Sequence, residues 1–331
     1  MPARGSTSHP CLPTMKPLLL VLVFLSEEHR ALMAESFEMI YAPNENLGAD
    51  RGNGDAQIAA RGQDIRVVLT NGTNGLLATE IAALPRLELI CTLGVGYENI
   101  DLAAASARGI PVCNAAGSNA NAVADHAMAI LLAAVRRIPF LNAGVRKGLW
   151  RDDIPRPPQV SGRRMGIFGL GAIGKAVARR AAGFDMEIGY HSRTRNDATG
   201  YRWFDDLASL AAWCDFLVIA APGGQATYHA VDRQVLEALG PDGVLVNVAR
   251  GTLVDTDAVA DALRHKRIWA AALDVYENEP APPAPLLEFE NAVITPHVGG
   301  ASPQAIHALV VRFLENAEAH FAGKPPLSRV N

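Results

Sequence analysis

Residues 163–178 constrain the fold most. An apolar run over 165–168 leads directly into Gly169, Gly171 and Gly174 at G-x-G-x-x-G spacing, and these lead into an Ala-rich helical run lasting to Gly183. The order is strand, tight turn, helix. Each glycine answers a physical need, since Gly169 makes the turn, Gly171 lets backbone approach a pyrophosphate, and Gly174 lets the helix pack on its strand. Phosphates then meet the unpaired N–H groups and the positive dipole end of the helix. Because glycine makes up 29 of 331 residues, the spacing alone is a weak signal. The flanking strand and helix, with a second strand over 186–191, turn it into a dinucleotide site.

At 331 residues the chain exceeds what one core usually holds, so two domains are expected. Charged residues are 19% and the formal net charge is −4, with no extended basic stretch, which gives no support to a nucleic-acid partner. Small acids must then be captured by local positive groups. The four cysteines, Cys11, Cys91, Cys113 and Cys214, are scattered without a C-x-x-C pair or ligand-like spacing to histidine. They read as free thiols in a reducing, cytoplasmic compartment, and no metal site is expected. The apolar run over 18–25 is followed by Ser26-Glu27-Glu28-His29-Arg30 without a small-residue cleavage site. It is too short to span a bilayer and reads as a buried first strand, with no membrane association expected. Residues 1–14, rich in Pro, Ser and Gly, read as a disordered leader, with Met15 as the native start.

From 16 to 112 short apolar runs alternate with amphipathic segments: strands over 18–24, 39–41, 67–69, 87–92 and 110–113, and helices over 27–36 and 54–61. Such alternation predicts a parallel sheet covered on both faces. Two loops follow apolar strands there, Thr70-Asn71-Gly72-Thr73-Asn74-Gly75 and Leu93-Gly94-Val95-Gly96-Tyr97. Glycines at the carboxyl ends of parallel strands leave backbone N–H groups free for an anion. The second loop is taken as functional; the first is equally an ordinary turn. Ser118-Asn119 is expected to cap a long apolar helix over 122–138 that ends before Pro139, with His126 as a packed structural residue. Arg156-Pro157-Pro158 marks an extended crossing into the second domain, whose strands continue over 216–220, 244–249, 269–274 and 292–295. The last helix has Ser302 as N-cap and Pro303 at its first position, and is expected to return to the first domain.

An NAD-selecting fold places an acidic residue about 20 residues after the first glycine, to hold the ribose 2′-hydroxyl. Here that region reads Tyr190-His191-Ser192-Arg193-Thr194-Arg195-Asn196, with no carboxylate at the strand end. Two arginines and two hydroxyls suit a dianionic 2′-phosphate instead, which selects NADP(H) over NAD(H).

Three polar residues follow strands of the same domain: Arg250 in N-V-A-R-G, Glu279 in D-V-Y-E-N-E-P and His297 in T-P-H-V-G-G. Hydride transfer to a 2-oxo acid needs a cation for the carboxylate, an acid for the forming alkoxide, and a group that keeps the acid protonated. Arg, His and Glu meet those needs in turn.

With these motifs in this order around the glycine fingerprint, the chain from about Met15 onward resembles the D-isomer-specific 2-hydroxyacid dehydrogenase family. The Ser-Arg-Thr loop and the Ala221-Pro222-Gly223-Gly224 turn are most similar to its NADPH-linked glyoxylate/hydroxypyruvate and hydroxyphenylpyruvate reductases. The resemblance implies an α/β fold of two doubly wound parallel-sheet domains with a cleft between them. A flavodoxin-like substrate domain would cover 15–117 and 300–331, and a Rossmann dinucleotide domain with an interdomain helix 118–299. It implies Arg250, Glu279 and His297 as the catalytic set. Cofactor contacts would come from Gly169, Leu170, Gly171, Ala172, Ile173 and Gly174, from Ser192, Arg193 and Thr194, from Pro222, Val248 and Ala249, and from Asp274, His297 and Gly299. Leu93, Gly94, Val95 and Gly96 would hold the substrate with Arg250. A homodimer is implied, and Trp150 is equally a packing or surface residue or an aromatic reaching a partner subunit's pocket. Two alternatives stand beside a small-acid reductase: a reductase of a larger acid such as a phenylpyruvate or 2-ketogluconate, and a non-catalytic dinucleotide-sensing protein like the corepressors that share the fold.

Overall fold

The computed structural model describes residues 15–43, 52–153 and 156–331, so the expected leader, with Cys11, lies outside the described residues. Cα proximity divides the chain into two units. The first runs to Ser118 and resumes at His307–Asn331, and the second is Asn119–Ile306.

In the first unit the strands are β1 (Leu18–Val21), β2 (Glu38–Tyr41), β3 (Ile65–Thr70), β4 (Leu89–Thr92) and β5 (Val112–Cys113). They pair in parallel in the order β2-β1-β3-β4-β5, which is the flavodoxin-like order. The continuous apolar run at the start of the chain is explained by burial on both sides of this sheet. Leu18, Leu20 and Leu22 enter one hydrophobic cluster with Ile58, Ile81 and Leu84. Leu19, Val21 and Val23 enter the other, with Met33, Phe37 and Phe313. Leu19 and Leu20 are fully buried, each contributing about 1.5–3 kcal/mol of hydrophobic free energy. Helix Glu27–Ala34, capped by Ser26, ends two residues short of the expected span. The short helices Ala78–Ala82 and Leu102–Ala107 have too few turns to show an apolar period in sequence. The last helix, Pro303–Phe321, does carry the Ser302 cap, whose hydroxyl accepts from Ala305 N. It buries Val310, Phe313 and Ala317 in the first unit's core. The chain end then lies along β5, where Asn114 N donates to Ser328 O and Val330 N to Val112 O.

The second unit holds β6 (Arg164–Phe168), β7 (Glu187–His191), β8 (Arg202–Phe204), β9 (Phe216–Ile219), β10 (Val244–Asn247), β11 (Ala270–Leu273) and β12 (Ala292–Ile294). All seven are parallel, in the order β12-β11-β10-β9-β6-β7-β8. Strand order reverses between β6 and β9, the switch point at which a Rossmann sheet opens a crevice for a dinucleotide. Alternation again feeds two cores: Val244, Val246, Ala270 and Ala272 face one cluster, Leu245, Ala271 and Leu273 the other.

The long apolar helix differs from expectation. It spans Ala120–Val135, and a second helix, Ile138–Arg146, begins after Arg137, which is left-handed at φ 53°. Pro139 sits within the first turn of the second helix rather than beyond the end of the first, because a missing N–H costs nothing where no intrahelical partner exists. Asn119 occupies the N-cap position, but its side chain makes no capping bond. The helix Ala120–Val135 packs within its own unit, burying Val123, Ala127, Ile130, Leu131 and Ala134 against Val177, Ala181 and the β10 and β11 side chains. Among the described residues no single helix is long and apolar enough to cross a membrane.

Candidate active site

At two of the three fingerprint glycines the surrounding backbone leaves no room for any side chain. Gly169 has φ 97°, and a Cβ there would lie 2.6 Å from Ala221 Cα. A Cβ on Gly174 would lie 2.1 Å from Gly169 O, so the helix Ala172–Ala182 approaches its turn closer than any side chain allows. At Gly171, the N-cap residue, a Cβ would meet nothing within 4 Å. That open space lies against the exposed Gly171 and Ala172 at a helix N-terminus, whose first N–H groups lack intrahelical partners. The cradle fits a pyrophosphate.

At the carboxyl end of β7, Ser192 Oγ donates to Thr194 O (2.7 Å), and Trp203 Nε1 donates to Ser192 O (3.3 Å). Arg193 is exposed and makes no ion pair or hydrogen bond among the described residues. Arg195 departs from the expected pair of cations: its Nε lies 2.5 Å from Asp197 Oδ1, and its guanidinium lies over Trp203. Among the described residues one free cation, not two, remains in this loop.

Four further polar residues stand on the same carboxyl edge, after β10, β11 and β12. The fully buried Asn247 shapes the first turn, its Nδ2 donating to Arg250 O (2.9 Å) while its Oδ1 accepts from Ala249 N (3.0 Å). Val248 and Ala249 are buried, and the Arg250 stem lies against Gly223, where a Cβ would be 3.0 Å from Arg250 Cγ. The turn containing Pro222 is closed by Thr227, whose hydroxyl donates to Pro222 O (2.8 Å). After β11, the Asp274 side chain, in a residue 2% exposed, gathers the chain after β12. Its Oδ1 accepts from Thr295 Oγ1 (2.6 Å) and Val298 N (3.0 Å), and its Oδ2 from Gly299 N (2.8 Å). His126 Nε2 is 3.3 Å from the same Oδ1 and 2.9 Å from Thr295 Oγ1.

His297 is held within this turn in the left-handed region, φ 52°, with its N–H donating to Asp274 O (2.8 Å). Its Nδ1 lies 2.6 Å from Glu279 Oε2, while Glu279 Oε1 accepts from Tyr276 N (2.8 Å). Tyr276 OH donates to Thr295 O (2.5 Å), tying the Glu279 loop to the segment that leads from β12 to His297. The Glu279 hydrogen bond raises the His297 pKa above its ordinary value, against the opposing pulls of burial and the Arg250 charge. The outcome is an imidazole whose protonated form is favoured, that can donate from its far nitrogen, and that stands beside a guanidinium. That combination can deliver a proton to a developing alkoxide next to an anionic group.

In the first unit, β4 is followed by Leu93, Gly94, Val95 and Gly96. This loop is pinned by its carbonyls: Gly94 O accepts from Ala115 N (2.7 Å) and Val95 O from Asn114 Nδ2 (2.9 Å). The Leu93 N–H donates to Thr70 O (2.7 Å), and fixing the carbonyls this way leaves the N–H groups of Gly94, Val95 and Gly96 for an anion. Trp150 is 65% exposed, which sets aside a core-packing role.

Sequence reasoning missed Tyr276, Thr295 and a second His–Glu pair, His229 with Glu277. Glu277 and Tyr276 lie inside the D-V-Y-E-N-E-P motif, which was the signal that could have found them. It also missed that Cys91 and Cys113, far apart in sequence, are register partners on β4 and β5. Among the described residues Cys91, Cys113 and Cys214 are free, and burial pushes the Cys214 thiol up to about 12.

The family model "D-isomer specific 2-hydroxyacid dehydrogenase, NAD binding domain" matches residues 128–299. The chain is 40% identical over 274 residues to hydroxyphenylpyruvate reductase from Plectranthus scutellarioides, across 82% of this chain and 88% of that one. It is 38% identical over 268 residues to 2-ketogluconate reductase from Gluconobacter oxydans, across 80% and 86%. Among solved structures it is similar to the NADPH-dependent glyoxylate/hydroxypyruvate reductase of Sinorhizobium meliloti in complex with NADP and malonate. That match has a TM-score of 0.84 and 36% identity, over 95% of this chain and 97% of that one. The chain belongs to the D-isomer specific 2-hydroxyacid dehydrogenase family.

Proposed function

We propose that this protein is an NADPH-dependent reductase of small 2-oxo acids of the glyoxylate/hydroxypyruvate type, yielding the D-2-hydroxy acid. The observation that carries the proposal is the 2.6 Å His297–Glu279 contact beside Arg250, on the sheet edge that also bears the glycine cradle. The dinucleotide, when bound, supplies the hydride to the C2 carbonyl carbon. Gly169, Leu170, Gly171, Ala172, Ile173 and Gly174 hold its pyrophosphate. Ser192, Arg193 and Thr194 hold the 2′-phosphate, which is supported by the absence of a strand-end carboxylate and by the unpaired Arg193. Pro222, Val248, Ala249, Asp274 and Gly299 line the remainder of the cofactor path. Arg250 and the backbone N–H groups of Gly94, Val95 and Gly96 hold the substrate carboxylate, while Leu93, whose own N–H donates to Thr70 O (2.7 Å), anchors the start of that loop. His297 donates its proton to the carbonyl oxygen as charge develops there, and Glu279 stabilises the imidazolium before that transfer. In this assignment 15–117 with 300–331 serve the substrate and 118–299 the dinucleotide. The protein works as a cytoplasmic homodimer, supported by the exposed apolar Ile138, Val145 and Trp150 along and just after one helix.

The similarity to hydroxyphenylpyruvate and 2-ketogluconate reductases favours a larger acid as the second reading. One spectrophotometric panel decides: glyoxylate, hydroxypyruvate, hydroxyphenylpyruvate and 2-ketogluconate, each with NADPH and with NADH. The proposal expects highest kcat/KM with the two small acids and at least about a tenfold preference for NADPH, the size of one charge-assisted contact. Equal use of both cofactors removes the NADPH assignment, and no oxidation with any acid leaves a dinucleotide-sensing binding protein.

A further inference from the structure

A second histidine–carboxylate pair lies on the other side of the loop that carries Glu279. His229 Nε2 is 2.6 Å from Glu277 Oε1, and Glu277 Oε2 accepts from Thr256 N (3.2 Å) at the start of the helix Thr256–Arg264. Both side chains are largely buried, with 29% and 23% of their surface exposed. His229 adopts a left-handed conformation, φ 47°, and its ring stacks on Tyr228 at 4.0 Å between centroids. Its own N–H donates to Thr252 O (2.8 Å), in the turn that follows Arg250. Gly251, next to Arg250, abuts the same loop so tightly that a Cβ would lie 2.0 Å from Tyr276 C.

The loop from Tyr276 to Glu279 is therefore anchored in two directions. The Tyr276 hydroxyl ties it to Thr295, in the segment that leads from β12 to His297. Glu277 ties it to His229 and Thr256, the segments that flank Arg250. Both Glu279 oxygens are already committed, one to Tyr276 N and one to His297 Nδ1, so the position of that carboxylate follows the position of its loop. We propose that His229 and Glu277 are positioning residues of the reductase: they set the loop that presents Glu279 to His297 and hold it in register with Arg250. The inference rests on the catalytic assignment of His297 and Glu279 made above.

The groups facing each partner are few. Around Glu277 they are His229 and Thr256; although burial raises its pKa, the bonds from Thr256 and His229 bring it below the ordinary carboxylate value. Around His297 they are Glu279, Arg250 and Asp274. Neither His229 nor Glu277 is among them, so any effect of the outer pair on the His297 proton has to travel through the loop.

The test is the pH dependence of kcat/KM for NADPH-driven reduction, measured with the full chain and its best 2-oxo acid, for Glu277→Gln, His229→Asn, His229→Gln and the reference variant Glu279→Gln. Asparagine tolerates the left-handed backbone but is too short to reach Glu277, whereas glutamine can reach it. The expected result is a loss of about ten- to a hundredfold in kcat for Glu277→Gln and His229→Asn, as for other displacements of catalytic groups from outside the site. NADPH KM stays within about twofold, and the falling limb of the pH profile moves to lower pH in the same direction as in Glu279→Gln. His229→Gln recovers part of both losses. Combining Glu277→Gln with Glu279→Gln adds no further movement of the limb, since both act through one contact. A limb that moves in Glu279→Gln but stays in place in Glu277→Gln and His229→Asn overturns the inference, even if those variants melt earlier. A limb that does not move in Glu279→Gln overturns the catalytic assignment and this inference with it.

Discussion

Replacing Asp274 by asparagine changes one oxygen to an NH2 group and leaves the volume almost unaltered, so it isolates what a carboxylate does at the end of β11. Its Oδ1 accepts from Thr295 Oγ1 and Val298 N, and its Oδ2 from Gly299 N. In its better orientation the amide keeps its oxygen on the first two donors and turns its NH2 toward Gly299 N, placing two donors face to face. At 2% exposure water cannot repair that contact. A buried unsatisfied N–H costs about 1–3 kcal/mol. The two surviving bonds lose their charge assistance, about 0.5–1 kcal/mol each if a charged bond is roughly twice as strong as a neutral one. The sum is a destabilisation of roughly 2–5 kcal/mol, or about 4–20 °C in the melting temperature of a unit of this size.

Stability is half of the expectation. The bonds that fail are those that fold residues 295–299 around His297, whose left-handed backbone stores roughly 1–2 kcal/mol of strain. Once they weaken, His297 relaxes away from Glu279 and kcat falls with the melting temperature. Thermal unfolding followed by circular dichroism, with steady-state reduction measured well below the transition, checks both. A melting temperature within about 2 °C of wild type, with kcat unchanged, would show that Asp274 does not organise this turn and would refute the reasoning from buried donors.

Other perturbations address the chemistry. His297→Asn keeps a residue that accepts left-handed geometry, so it should melt near wild type while kcat for reduction drops about 10²–10⁴-fold, the usual contribution of a general acid; retained turnover removes His297 from that role. Because Glu279 raises the His297 pKa, reductive kcat/KM in the wild type should be full at low pH and fall as pH rises through a value above that of an ordinary histidine. The oxidative direction, which needs the neutral ring, should rise across the same interval, and parallel profiles in the two directions would contradict the assignment. Arg193→Ala should lower kcat/KM with NADPH by about tenfold or more and leave NADH almost untouched, because a lost phosphate contact penalises only the phosphorylated cofactor. Gly171→Ala should fold normally, since its Cβ meets nothing within 4 Å, yet weaken NADPH binding in a fluorescence titration. Gly174→Ala should lose stability as well, its Cβ falling 2.1 Å from Gly169 O.

The parts of this molecule that were legible in the sequence are those whose determinants are local. Alternation at Leu18–Leu19–Leu20 and around Val244–Leu245–Val246 encodes a sheet buried on both faces, because consecutive side chains have to satisfy two cores at once. The glycine spacing encodes a turn–helix approach over the short stretch from Gly169 to Gly174. Strand-end placement brought Arg250, Glu279 and His297 to one edge without any contact being known. What stayed hidden depends on which strand end lies beside which. Cys91 and Cys113 become neighbours only through the β4–β5 register. His229 looks like one more surface residue after β9 until the loop after β11 delivers Glu277 to it, 48 positions away in sequence. Short-range pattern thus locates the groups proposed to do the chemistry, whereas the contacts proposed to hold them in place run between crossovers, which only the assembled sheet defines. For this fold the proposed catalytic set is written in motifs and part of its proposed support in topology, so substitutions that leave every motif intact, such as His229→Asn, are where activity and sequence similarity should part company.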